Sequence, residues 1–173
     1  MKTGDFLLAL CVPLSWGLGF TFAKAGLSEF PPLFLMGMRF CLAALVLVWF
    51  VQVPREHMKR IFWIALVGST IQYGLTFTGL SMIDASLAII IVHLEVPFAV
   101  ILAGLILKEN PGLQRLFGML ISFAGIALIA GQPNLQGQLL AVFLTASGAM
   151  MWALGQVMVK QLVEPPSGLT LTA

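Results

Sequence analysis

Glu95 stands inside an apolar run, Ala85–Leu107, in which His93 is the only other ionisable residue. A carboxyl at the centre of a membrane span costs about 2.5–3.5 kcal/mol on insertion scales, so it must face protein or water rather than lipid. Such a group can take up a proton in a low-dielectric interior and release it on meeting water. Glu95 is therefore a candidate proton carrier. The alternative is a carboxyl hydrogen-bonded inside a helix bundle with no further role. His93 is two positions away, about 200° around a regular helix. Glu95 shares its stripe with Ala88, Ala99 and Ala103, a small-residue face expected to look inward. His93 is then expected to turn toward another helix, donating to a backbone carbonyl, and stays a second candidate for coupling.

Arg39, about a third of the way into its apolar run, poses the same problem with the opposite sign. It can pair with Glu95, grip a ligand carboxylate with its planar fork, or snorkel to headgroups. Trp16, Gln72, Tyr73, Thr76, Thr78, Trp152 and Gln156 are candidate walls of a cavity that combines aromatic surface with a few polar groups. Gln72 and Thr76 stand at i and i+4, on one helix face. Interhelical hydrogen bonding is the competing role for the threonines. Pro13 and Pro97 are helix-break candidates: each lacks an N–H, so the carbonyls of Ala9 and His93 are expected to stand free. Lys24 and Lys160 read as snorkelling anchors. Gly118, Ser122 and Gly125 read as a helix-packing stripe, and Cys11 and Cys41 as buried reduced thiols. His57 and His93 have no Cys or His at ligand spacing, so no metal and no cofactor is expected.

The elements that carry these residues follow from composition. Of 173 residues, 60% are hydrophobic and 9% charged, with a formal net charge of +2. Mean hydropathy is +1.02. Soluble domains carry about 25% charged and about 45–50% apolar residues. Too little charge is present to cover a soluble globule, to keep a chain disordered, or to bind nucleic acid. An all-α polytopic membrane protein of six spans is expected: 6–25, 33–52, 61–80, 85–107, 113–130 and 138–163. The breaks combine charge with Gly, Pro or Asn, as in Glu29-Phe30-Pro31-Pro32, Pro54-Arg55-Glu56-His57 and Lys108-Glu109-Asn110-Pro111-Gly112. Lipid leaves no partner for open backbone, so helices are the default, and the runs lack the alternation of barrel strands. The first run is expected to be a span and not a signal peptide, because it is too long for one. With the N-terminus inside, Lys2, Arg55, Lys59, Arg60, Lys108, Arg115 and Lys160 face the cytoplasm and Lys24 faces out.

The first and sixth spans share the pattern W-x-L-G-x4-K, in Trp16–Lys24 and Trp152–Lys160, each followed by a Pro-Pro pair. A repeat of five spans, an odd number, would enter the membrane in the opposite sense at its second copy. The expected domains are 1–132, a whole five-helix repeat, and 137–173, the start of a second. The chain stops where a seventh span would begin, so a truncated product or fragment is expected.

Further residues carry a family resemblance: Trp16-Gly17 with Lys24, Pro32 with Arg39, Gly79-Leu80, Ala85-Ser86-Leu87-Ala88, Pro97, Lys108-Glu109, Gln114, Gly118 and Gly125-Ile126. In this order the chain resembles the EamA-type permeases of the drug/metabolite transporter superfamily. The resemblance implies ten helices in two inverted halves. It also implies movement of small metabolites across the bacterial inner membrane, often outward, with some members exporting amino acids or cysteine-pathway metabolites. The chain departs from the family in lacking nearly all of the second half. It also carries His93 and Glu95 where relatives usually have apolar or small polar residues. The implied partners are the lipid bilayer, a small-molecule substrate, and a second copy or a missing second half, with no nucleic acid. An intramembrane enzyme would need a converging dyad, and His93 and Glu95 point apart. A Gly-rich nucleotide loop is absent from the sequence. A non-transporting helix bundle is the remaining rival.

Overall fold

The computed structural model describes residues 3–50, 57–108, 110–130 and 138–162. Their regular elements are α1 (Thr3–Gly26), α2 (Pro32–Leu47), α3 (Met58–Ala65), α4 (Gln72–Met82), α5 (Ala85–Val92), α6 (Glu95–Ile106), α7 (Gly112–Ala130) and α8 (Leu139–Lys160). A π-helical stretch, Leu66–Ile71, joins α3 to α4 without a turn. The elements therefore make six rods, with α3–α4 and α5–α6 as the third and fourth. Among the described residues, Met58–Met82, Ala85–Ile106 and Leu139–Lys160 are long and apolar enough to cross a bilayer, and Pro32–Leu47 and Gly112–Ile126 are shorter apolar helices. The outer surface is lined with large apolar groups, among them Leu42, Leu105, Leu113 and Ile121. Continuous apolar exposure of this kind is unsuited to water and suited to acyl chains.

The core lies where α8 packs against α4, the π-helical stretch, α5 and α6. Ala141, Thr145, Gly148, Ala149, Ala153 and Val157 are buried along α8 at helical spacing. Small residues let the backbones approach, which in lipid replaces the hydrophobic effect as the source of cohesion. A Cβ placed on Gly79 would stand 2.8 Å from the Ala141 carbonyl oxygen; one on Gly148, 3.0 Å from the Thr76 nitrogen; one on Gly155, 2.7 Å from Gly68 Cα. Numbers rise along the third rod as they fall along α8, so the two are antiparallel. By contrast α1 runs with the third rod, because Phe20 stacks on Phe77 at 5.9 Å and Lys24 reaches the end of α4. Helices α1 and α8, which carry the shared W-x-L-G-x4-K pattern, thus point in opposite directions.

Several expectations are corrected. Lys24 does not snorkel: its Nζ donates to the carbonyls of Leu80 at 2.8 Å and Ser81 at 3.1 Å. These lie in the last turn of α4, where carbonyls lack helical partners and a cation opposes the helix dipole. Cys11 and Cys41 are free but exposed on the outer surface, not buried. A Cβ on Gly118 or Gly125 would meet nothing within 4 Å, and Ser122 Oγ donates back to the Gly118 carbonyl at 2.9 Å, so the expected stripe makes no close helix contact. Pro13 is accommodated inside the continuous α1. Lys2, the 51–56 and 131–137 breaks, Glu109, Pro165-Pro166 and the end of the chain lie outside the described residues.

The fourth rod departs from a regular helix. It breaks at His93-Leu94, between α5 and α6. Pro97 cannot donate to His93, as its ring nitrogen carries no hydrogen. The carbonyl is nevertheless not free: Val96 N–H donates to it at 3.2 Å, and Leu94 N–H donates to Ile91 at 3.0 Å. Two tighter i→i−3 bonds thus replace the α-helical ladder and re-satisfy the backbone, as membrane depth demands. The break leaves Glu95 as the first residue of α6.

Candidate functional site

A cavity of about 110 Å³ opens between α1, α2, α4, α8 and the α5–α6 break. Its wall includes Trp16 from α1, Arg39 from α2, Gln72 and Tyr73 from α4, Glu95 from α6 and Trp152 from α8. With Thr76, seven residues singled out from sequence, spread over more than a hundred positions, therefore meet at one place. Ser15, Phe20, Thr76, Phe77 and Val92 complete much of the lining.

The aromatic wall is a connected column. Phe40 meets Tyr73 edge-on at 4.8 Å, Tyr73 stacks on Phe77 at 5.4 Å, and Phe77 stacks on Phe20. Ring pairs at these separations add about 0.5–1.5 kcal/mol each beyond area burial. They tie α2, α4 and α1 together behind the cavity. The Arg39 guanidinium lies over the Tyr73 ring, 6.0 Å from its centroid. Among the described residues it forms no ion pair with Glu95, which corrects one of its expected readings, and the two share the lining of the cavity instead.

Gln72 and Thr76 bond within one helix, not between helices: Gln72 Nε2 donates to Thr76 Oγ1 at 3.2 Å. Both are buried, with Gln72 only 7% exposed. Gln72 Oε1 is buried and has no hydrogen-bond partner. Thr78 likewise donates back to the Gly74 carbonyl, at 2.6 Å. Close approach of α8 at Gly148 presses on the Thr76 and Gln72 backbone and so fixes this part of the wall.

Two candidates stand elsewhere. His93 lies outside this cavity, in a shallow recess against Ile121, Ser122 and Gly125 of α7. Its Nδ1 is 2.7 Å from the Ile89 carbonyl, the backbone role expected of it. Gln156 lines a second, larger recess of about 370 Å³, together with Ala99, Ala103, Arg115 and Lys160. Glu95 and Trp152 belong to both recesses. They form a wall common to the two, and Ala99 and Ala103 continue the lining of the larger recess along α6.

Residues 3–131 match the model of the EamA-like transporter family. The chain belongs to that family. Its members are transporters, not enzymes, and this chain is a multi-pass membrane protein. A probable amino-acid metabolite efflux pump of Escherichia coli strain K12 is 30% identical over 168 residues, covering 95% of this chain and 56% of that protein. An uncharacterised transporter of Bacillus subtilis strain 168 is 33% identical over 172 residues, covering 92% of this chain and 55% of that one. An uncharacterised transporter of Archaeoglobus fulgidus is 33% identical over 144 residues, covering 79% and 49% respectively. The chain thus spans about half the length of the curated relatives it matches. No solved structure matches it.

Proposed function

We propose that this chain carries the substrate cavity of a secondary transporter that exports small amino-acid-like metabolites across the bacterial inner membrane. The observation that carries the reading is the meeting of Trp16, Arg39, Gln72, Tyr73, Glu95 and Trp152 around one recess. Aromatic wall, guanidinium, amide and carboxyl together are what a small polar metabolite needs when it leaves water. The probable efflux pump of Escherichia coli supports the same substrate class by similarity. Glu95, shared by two recesses, is the residue we assign to proton coupling: it can exchange a proton on one side and lose it on the other as access alternates. The Lys and Arg distribution favours a cytoplasmic N-terminus.

The opposed directions of α1 and α8, with their shared pattern, favour an inverted-repeat plan in which residues 1–132 form one unit and 137–173 begin the next. The span of the match, about half of each relative, favours a second reading: a half-transporter that acts with a second copy or with a separate second half.

Export of a radiolabelled amino acid from cells expressing the chain tests the transporter reading. Faster loss of label, and growth on toxic amino-acid analogues, is the expected outcome. Correct membrane insertion without either leaves a non-transporting bundle. For coupling, Glu95→Gln should flatten the dependence of export on external pH, and an unchanged profile overturns that role.

A further inference from the structure

We infer that the larger recess, between α6, α7 and α8, is a site for an anionic phospholipid, its phosphate at Arg115 and Lys160 and an acyl chain laid along α6 toward Trp152. The inference does not depend on the transporter reading and adds to it a partner drawn from the membrane itself.

The recess is cationic at one end and apolar along its length. From α6, Val96, Ala99, Val100 and Ala103 stand at i, i+3, i+4 and i+7; from α8, Trp152, Gln156 and Lys160 stand at i, i+4 and i+8. Each set is one helix face, and the two faces meet where α6 packs on α8. Between Trp152 and Lys160 the groove runs about 12 Å, at about 1.5 Å per residue. Lys160 closes α8 and Arg115 stands in the first turn of α7, so both cations lie at the end where α6 has just finished. Arg115 is exposed, and no acidic residue accompanies it in that turn. A cation there opposes the helix dipole, so an anion is favoured twice, by the guanidinium and by the N-terminal peptide groups. Glu95, the acid of this lining among the described residues, opens α6 at the opposite end and leaves the cationic mouth unneutralised. A planar guanidinium takes two phosphate oxygens at once, and an ammonium adds a point charge. Gln156 lies one turn inside Lys160 with an exposed amide, the depth at which ester carbonyls follow a phosphate. Deeper still, Val96 is exposed and Ala99, Val100 and Ala103 are half-buried. A soluble anion leaves that apolar stretch bare, whereas a phospholipid brings charge, esters and hydrocarbon in the order in which the wall receives them. Basic pockets between spanning helices hold anionic headgroups in this way. At about 370 Å³ the recess has the volume of a pocket for a drug-sized molecule, enough for a headgroup and the upper part of one chain.

The test uses the whole chain, purified in detergent and stripped of lipid. The probes are dioleoyl phosphatidylglycerol, dioleoyl phosphatidylcholine and glycerol 3-phosphate, the last carrying the phosphate without chains. Bound lipid is counted by native mass spectrometry. Lipids with brominated chains report by quenching on Trp152, read as the difference between wild type and Trp152→Phe. The wild type should retain phosphatidylglycerol over phosphatidylcholine by about fivefold or more, the factor of one basic side chain at an anionic surface. Arg115→Gln should remove most of that preference, and Arg115→Lys should keep it. Lys59→Gln removes an equal charge from the first turn of α3, at the same end of the bundle but outside the recess, and should leave the preference unchanged. Ala103→Phe, which fills the groove without altering charge, should weaken the quenching. Equal wild-type retention of the two lipids overturns the site. So does an equal loss in Lys59→Gln and Arg115→Gln, the mark of a diffuse field. Glycerol 3-phosphate that displaces the lipid at equal concentration makes the recess a site for a soluble anion and overturns the lipid assignment. A stable dimer that carries no lipid puts a second copy of the chain there, with the same consequence. Export is measured separately, so none of these outcomes touches the transporter reading.

Discussion

Gly148 on α8 and Gly118 on α7 have the same side chain and opposite surroundings. A Cβ on Gly148 would press 3.0 Å from the Thr76 nitrogen and 3.1 Å from the Gln72 carbonyl oxygen, whereas one on Gly118 would meet nothing within 4 Å. The α4–α8 seam is a backbone-to-backbone contact that only small residues permit, while the Gly118 face of α7 and much of α1 stand open. The seam is also what holds Gln72 and Thr76 rigid behind the cavity. Rigidity is thus concentrated where the polar groups must keep their positions, and the open faces are left to lipid or to another helix.

Substitutions should separate the two regions by size of effect. The largest is expected at the seam: Gly148→Leu should destabilise the chain by about 3 kcal/mol or more, because backbone has no room to yield. Gly118→Leu should change stability by less than about 0.5 kcal/mol. Thermal unfolding in detergent, followed by helical circular dichroism, reads both, and equal effects would erase the contrast. An intermediate loss is expected from Lys24→Met, about 1–2 kcal/mol in the same assay, since the two carbonyls at the end of α4 lose a charged donor. A small effect, comparable with that of Gly118→Leu, is expected inside the seam itself. Thr145→Val removes only a bond to the Ala141 carbonyl of the same helix and should cost about 0.6 kcal/mol or less. A larger loss there would show that the hydroxyl, not the shape, holds the seam.

Much of this arrangement was legible in the residues. A polar or charged group in an apolar run has few ways to be satisfied, so Arg39, Gln72 and Glu95 were bound to seek one another's neighbourhood, and they line one cavity. Span limits followed from the charge and Pro/Gly punctuation, to within a few residues where described. Packing partners were harder to read. Glycine marks both a seam and an open face, and only the partner helix distinguishes Gly155 from Gly118. The break at His93-Leu94 was foreseeable from Pro97, but its outcome was not: the carbonyl of His93 was expected to stand free, and the N–H of Val96, just before the proline, took it instead. Nothing in the local composition of Leu66–Ile71 announces its wider helical turn. The fit of Gly68 against Gly155 is where that turn matters, and that is a property of two distant segments.

The place of α8 at the centre of the core has a consequence for biogenesis. Helices emerge from the ribosome in chain order, so α1 to α7 reach the membrane before the element that binds them together. Until α8 arrives, Gln72 and Thr76 line an unfilled groove, with no close-packed neighbour to hold them. A nascent chain of this kind depends on the insertion machinery to shelter its earlier helices, and a ribosome stalled before residue 139 should yield a species cleared quickly by membrane proteases.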